Sequence, residues 1–186
     1  MLSIPNWAKF VKLKCPKLLI TTSKGKEKQA IEEVVNILFE HDSEAYGVKT
    51  EFDGVVLVYT SLEPKQALNI VKKKPTSVIF KVVPIEACVK TSLENIVRKA
   101  LEIARNRIFK GDTFVVDCIR RGRLVQSSVI VERTLGKAIV EELGGIVSFK
   151  NPKYIVRVEV VGEITGISVL KRDEILRRRG RGGTVK

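Results

Sequence analysis

The spacing of apolar residues in the first half of the chain switches repeatedly between a strand period and a helix period, and the order of those switches leaves little choice of fold. Lys17 to Thr22 (KLLITT) is a short β-branched run that reads as a strand, and Ser23-Lys24-Gly25 punctuates it. From Lys26 to His41, Ile31, Val34, Leu38 and His41 recur at steps of three or four, with Glu27, Lys28, Glu32 and Glu33 on other faces, which predicts an amphipathic helix. Val48 to Phe52 and Val55 to Thr60 follow, split by Asp53-Gly54, a dipeptide suited to the positive backbone angles of a tight hairpin turn. Ser61 offers a cap for a second helix whose first turn holds Pro64 and whose apolar side is Ala67, Leu68 and Val71; Pro75 stops it. Val78 to Val89 reads as one long strand with a bulge or a sheet edge at Pro84. The order β-α-β-β-α-β specifies a ferredoxin-like, split βαβ arrangement over residues 17–88, an antiparallel sheet with two helices on one face.

The second half begins with Thr91-Ser92-Leu93-Glu94, a capping-box pattern for a helix running to about Ile108 through Ile96, Ala100, Ile103 and Ala104. Thr113 to Ile119 is strand-like, and a polar segment from Arg120 to Ser127 leads into a third long helix from Ser128. Val131, Leu135, Ala138, Ile139 and Leu143 form its inner face, and Gly144-Gly145 ends it. Tyr154 to Val161 and Ile164 to Leu170, joined at Gly162, predict a closing hairpin. The class is therefore α+β, with a second α/β unit over residues 89–170, an extension over 1–16 and a basic tail over 171–186. No Ser/Pro-rich linker separates the halves, so the boundary near residues 84–90 is a change of motif rather than a flexible joint.

Charge narrows the function. The 34 Lys and Arg against 21 Asp and Glu leave +13, and such a field concentrates phosphate-bearing partners. An apolar share of 44% excludes wholesale disorder. The apolar runs fall far short of the roughly 20 residues that cross a bilayer, and the N-terminus lacks a secretory signal pattern. The cytoplasm is the default compartment, and no membrane partner is expected. Cys15, Cys88 and Cys118 are odd in number and far apart with no CxxC pair, which argues against a disulfide framework and against a zinc site. His41, the one histidine, falls on an apolar helix edge and reads as structural. There is no GxxxxGK[ST] loop, no GxGxxG after a strand and no HxE with PCxxC, so no cofactor, metal or catalytic residue is expected.

The informative segment is Phe114 to Ser128, where a strand ends in an arginine cluster and a helix starts directly after it. Ser127 and Ser128 mark a helix start whose free N–H groups and positive dipole end suit phosphate, with Arg120, Arg121 and Arg123 beside it. Arg133 and Lys137, four residues apart, extend the positive strip along the helix, and Lys150 and Lys153 extend it further. Gly122 and Gly136 allow close approach to RNA or to a neighbouring element. Arg177 to Gly183 has the look of a disordered arginine-glycine segment that gains order on RNA. Aromatic residues, 6% of the chain, form no evident stacking set, so recognition by shape and phosphate position is expected rather than base reading.

The motifs Gly111-Asp112-Thr113-Phe114-Val115-Val116, Arg120-Arg121-Gly122, Ser127-Ser128, Arg133-Thr134-Leu135-Gly136, Asn151-Pro152 with Val156-Arg157-Val158-Glu159-Val160, and Gly166-Ile167-Ser168-Val169 together resemble the THUMP family over about residues 85–170. The resemblance implies that both halves grip the acceptor end of tRNA, including its single-stranded 3′ terminus. Most members carry a catalytic domain as well. The stand-alone layout, with Leu18-Leu19-Ile20-Thr21-Thr22, Lys26-Glu27-Lys28-Gln29-Ala30 and Glu33, is similar to the adaptor that assists tRNA cytidine acetylation. That resemblance implies a non-catalytic protein presenting tRNA to a separate modifying enzyme, an acetyltransferase. A structural RNA-binding module of a ribosomal or RNA-processing assembly, and a small RNA-modifying enzyme, are the alternatives.

Overall fold

A computed structural model describes residues 15–178; the start of the N-terminal extension and the run from Arg179 onward lie outside the described residues. The first half comprises β1 (Leu18–Thr21), α1 (Glu27–Phe39), β2 (Tyr46–Lys49), β3 (Val55–Tyr59), α2 (Pro64–Lys72) and β4 (Lys81–Pro84). The second comprises β5 (Ala87–Lys90), α3 (Leu93–Ala104), β6 (Thr113–Arg121), α4 (Ser128–Leu143), β7 (Ile146–Val147), β8 (Tyr154–Val161) and β9 (Ile164–Leu170). A short 3-10 turn at Arg172–Glu174 then leads to β10 (Leu176–Arg177).

Two five-stranded sheets result, ordered β10-β4-β1-β3-β2 and β5-β9-β8-β6-β7. All pairs in the first are antiparallel, whereas β6 runs parallel to both β8 and β7 in the second. The helices α1 and α2 pack on one sheet, α3 and α4 on the other, and the bare faces of the two sheets meet. This stacking explains why Leu18-Leu19-Ile20 is continuously apolar. Leu18 and Ile20 face the helices, Leu19 enters the inter-sheet core with Leu57, Val83, Ile85, Ile155 and Leu170, and a strand covered on both sides needs apolar residues at every position.

The long strand expected from Val78 to Val89 is instead two. β4 ends at Pro84, and Ile85 and Glu86 carry the chain across to the second sheet. Ile85 N–H still donates to Lys17 O (2.8 Å), the last backbone bond to the β1 segment before the chain leaves this sheet. The crossing is pinned by Glu86 N–H donating to Ile167 O (3.1 Å) and by Ser168 Oγ donating to Pro84 O (2.6 Å). At Gly166 a Cβ would stand 2.7 Å from Ile85 Cδ1, so only glycine lets the two chains approach this closely.

Other local expectations are corrected by tertiary partners. Glu27 is buried rather than on a wet face: Gly54 N–H donates to its Oε1 (2.7 Å) and Lys49 Nζ lies 3.5 Å from Oε2. The Gly54 N–H leads the effects that hold this carboxyl down to about 2. His41 lies beyond the end of α1 and is exposed, not part of a core. The N-cap of α2 is Glu63, not Ser61, and that of α3 is Ser92, whose Oγ accepts from Asn95 N–H (3.1 Å), while Thr91 bonds the buried Thr165 (2.9 Å). Cys15 and Cys88 form a disulfide between the two halves, with Cα atoms 5.6 Å apart, against the expectation that these cysteines form no disulfide framework. The tail is ordered as far as it is described: β10 pairs with β4, and Arg178 donates to the carbonyls of Val71 (2.9 Å) and Lys74 (2.6 Å), satisfying the C-terminal end of α2. Among the described residues no helix is long and apolar enough to cross a membrane.

Candidate nucleic-acid interface

The arginine cluster is divided by strand geometry. β6 continues to Arg121, two residues beyond the expected end, so Arg120 and Arg121 are strand neighbours and point to opposite faces. Arg121 turns toward the other sheet and is 17% exposed; its Nη1 donates to Oε2 of Glu159 (2.6 Å), a carboxylate 1% exposed. The buried Arg157 donates from Nε to the other Glu159 oxygen (2.7 Å) and also reaches Asp117. A carboxylate taken out of water needs compensating charge, and Arg121 supplies it. The expected phosphate contact at Arg121 is therefore corrected to a structural ion pair. Arg120 donates to the carbonyls of Gly122 (2.9 Å) and Val125 (3.1 Å), closing its own loop. Gly122, at φ 101°, abuts Gly162, whose N–H donates to Arg121 O (2.9 Å), so its small size serves chain packing instead of an approach to RNA.

The remaining cations gather about α4. Arg123 is exposed in the loop before the helix. Arg133 and Lys137 are exposed one turn apart, and Lys150 is exposed in the loop after β7. Arg123, Arg133 and Lys150 make no side-chain ion pair or hydrogen bond with any described residue. Lys137 Nζ lies 3.7 Å from Glu141, with both side chains exposed, a pair worth only a few tenths of a kcal/mol. Lys153 is more committed, at 2.7 Å from Asp112 and 5.2 Å from the centre of the Tyr154 ring. Ser127 caps α4, its Oγ accepting from Ile130 N–H (3.2 Å), and Ser128 is the first helical residue.

A groove of about 310 Å3 runs between α4 and the strands β6 and β7. Val129, Arg133, Gly136 and Lys137 line it from the helix, Val147 and Phe149 from the opposite side. Nothing lies within 4 Å of the position a Gly136 Cβ would take, so the missing side chain leaves open space. Phe149 went unnoticed in the sequence. The signal was an aromatic residue beside Lys150 in a polar loop closed by Asn151-Pro152, with Asn151 at φ 55°. Cys118, on β6, is buried, and desolvation pushes its thiol up to about 12, which disfavours the reactive thiolate. Among the described residues no group of three or more His, Cys, Asp or Glu could hold a metal ion. What the site offers is exposed positive charge around an apolar, aromatic-walled slot.

The second sheet, with two helices on one face and that slot along α4, belongs to a defined class of α/β module. Residues 90–170, from the end of β5 through β9, match the THUMP domain family, and the chain carries a THUMP domain there. Over 131 residues the chain is 30% identical to an uncharacterised protein of Methanocaldococcus jannaschii, covering 68% of this chain and 36% of that one. It is 38% identical over 72 residues to a tRNA sulfurtransferase of Thermoplasma acidophilum, covering 39% of this chain and 15% of the relative. The chain thus spans about a third of the first relative's length and less of the second's. A 4-thiouridine synthetase solved in complex with RNA and ATP shares the fold, with a TM-score of 0.59, 17% identity, and coverage of 89% of this chain and 42% of that one.

Proposed function

We propose that this protein is a cytoplasmic, non-catalytic tRNA-binding adaptor whose ferredoxin-like half (residues 17–88) supports the THUMP domain. It presents the acceptor end of a folded tRNA to a separate modifying enzyme, a cytidine acetyltransferase. The observation that carries the reading is the set of exposed cations about α4: Arg123, Arg133 and Lys150 have no described side-chain partner, in a chain of +13. Their uncompensated charge favours a phosphate backbone, and release of counterions on binding supplies affinity. The sulfurtransferase relative supports tRNA as that polyanion, and the structural neighbour solved with RNA supports RNA more broadly. Lys137 and Lys153 add charge at the margins, and the first N–H groups of α4 at Ser127 and Ser128 add donors.

Reconstitution tests the assignment. The purified chain is incubated with tRNA and an acetyl donor, with and without the candidate acetyltransferase, and the nucleosides are analysed by mass spectrometry. Acetylcytidine that forms only with both proteins supports the adaptor. Modification by the chain alone makes it an enzyme, and a chain that neither binds tRNA nor raises the acetyltransferase's yield refutes the reading.

A further inference from the structure

We propose that the groove between α4 and the strands β6 and β7 seats one unpaired nucleotide, its base stacked on Phe149 and its phosphate held by Arg133 and Lys137. The inference deepens the RNA-binding reading above and rests on it. Phe149 is 85% exposed, the largest exposure among the large apolar residues that the structure describes. Folding gains almost nothing from a phenyl ring left in solvent, so its face is open to a ligand. It lines the same slot as Val129, Val147 and the two cations. An aromatic face next to positive charge is the arrangement on which single-stranded nucleic acids stack, and it tolerates any base because every base has a π-face.

Size and charge select the occupant. The 310 Å3 slot is at the lower end of small-ligand cavities, which run from about 300 to 1,000 Å3, enough for one nucleotide and too small for a peptide helix or a duplex. Gly136 opens the wall where any side chain would intrude. Glu132 also lines the slot, but its Oε1 accepts from Cys118 N–H (3.0 Å), which draws its charge toward the strand. A second copy of this chain would bring another +13 to a basic surface, whereas a phosphate is attracted to it. The expectation that bases are not contacted thus gives way to one base read by stacking.

The full-length protein is titrated by fluorescence anisotropy with labelled tRNA, intact and trimmed of its single-stranded 3′ end. Phe149→Ala should weaken binding of intact tRNA roughly 5- to 150-fold, the range expected for one lost stack. It should leave trimmed tRNA and the salt slope unchanged, because no charge is lost. Phe149→Trp should restore affinity, and Phe149→Leu, apolar but without a π-face, should not. Wild-type affinity for intact tRNA in Phe149→Ala overturns the stacking proposal while RNA binding stands, as does full rescue by leucine. Failure of the wild type to bind either RNA overturns the RNA reading itself. Self-association in sedimentation that Phe149→Ala abolishes would assign the groove to a second copy and overturn the proposal.

Discussion

Arg121→Ala removes the guanidinium that stands 2.6 Å from the buried Glu159 carboxylate, and its cost follows from what Glu159 keeps. Deleting one partner of a fully buried ion pair costs about 3–5 kcal/mol. Here Arg157 still donates to Oε1 at 2.7 Å, and Arg121 itself is 17% exposed, so water reaches part of the vacated space. The loss is then closer to that of one charged hydrogen bond, about 2 kcal/mol. For a chain of 186 residues that lowers Tm by about 4–8 °C, at roughly 2–4 °C per kcal/mol. Arg133→Ala is the matched control: it also removes one positive charge, but from an exposed position with no described partner, and should leave Tm within about 1 °C. In a tRNA titration from low to moderate salt the two should exchange roles, with Arg133→Ala reducing the slope of log K against log salt by about one and Arg121→Ala leaving it unchanged. A reduced slope with normal Tm for Arg121→Ala would refute the assignment of structural and binding arginines.

Gly136→Ala should raise stability by up to about 1 kcal/mol, as alanine does inside a helix, yet weaken tRNA binding by filling the groove; unfolding and binding measured on one preparation check the opposed signs. The Glu27 carboxyl, held down to about 2 from its usual 4.5, contributes stability that is present above about pH 4.5 and lost as pH falls toward 2. Thermal melts across that window should show a shallower acid decline for Glu27→Gln than for the wild type. Cys88→Ser opens a link that spans 73 residues in sequence and should cost up to roughly 4 kcal/mol by loop entropy, read as a lower urea midpoint for oxidised protein; under strong reductant the two proteins should converge.

Patterns within one element were legible in the sequence, and partners across elements were not. The 3.6-residue spacing located α1, α3 and α4, and Asp53-Gly54 located the turn, because helix faces and hairpin turns are set by residues only a few positions apart. Glu27 matched a wet helix face, and only the return of Gly54 from a distant hairpin makes burial favourable there. Arg121 stood in a run of arginines, and its partner Glu159 is 38 residues away on β8, beyond any local pattern. Of the candidate site, the exposure of Arg123, Arg133 and Lys150 follows from their place on loops and an outward helix stripe. Phe149 escaped because an exposed aromatic and a core aromatic look alike until the loop is placed.

The strand β10 has a consequence for how the halves can move. The described residues start in one sheet, build the other and return, so the THUMP half is topologically an insertion between β4 and β10. Two domains joined by a single linker can pivot; two joined by a pair of crossings, with a packed face between them, are restricted to small sliding motions. A ligand resting on α4 would consequently keep a near-constant bearing on α1 and α2.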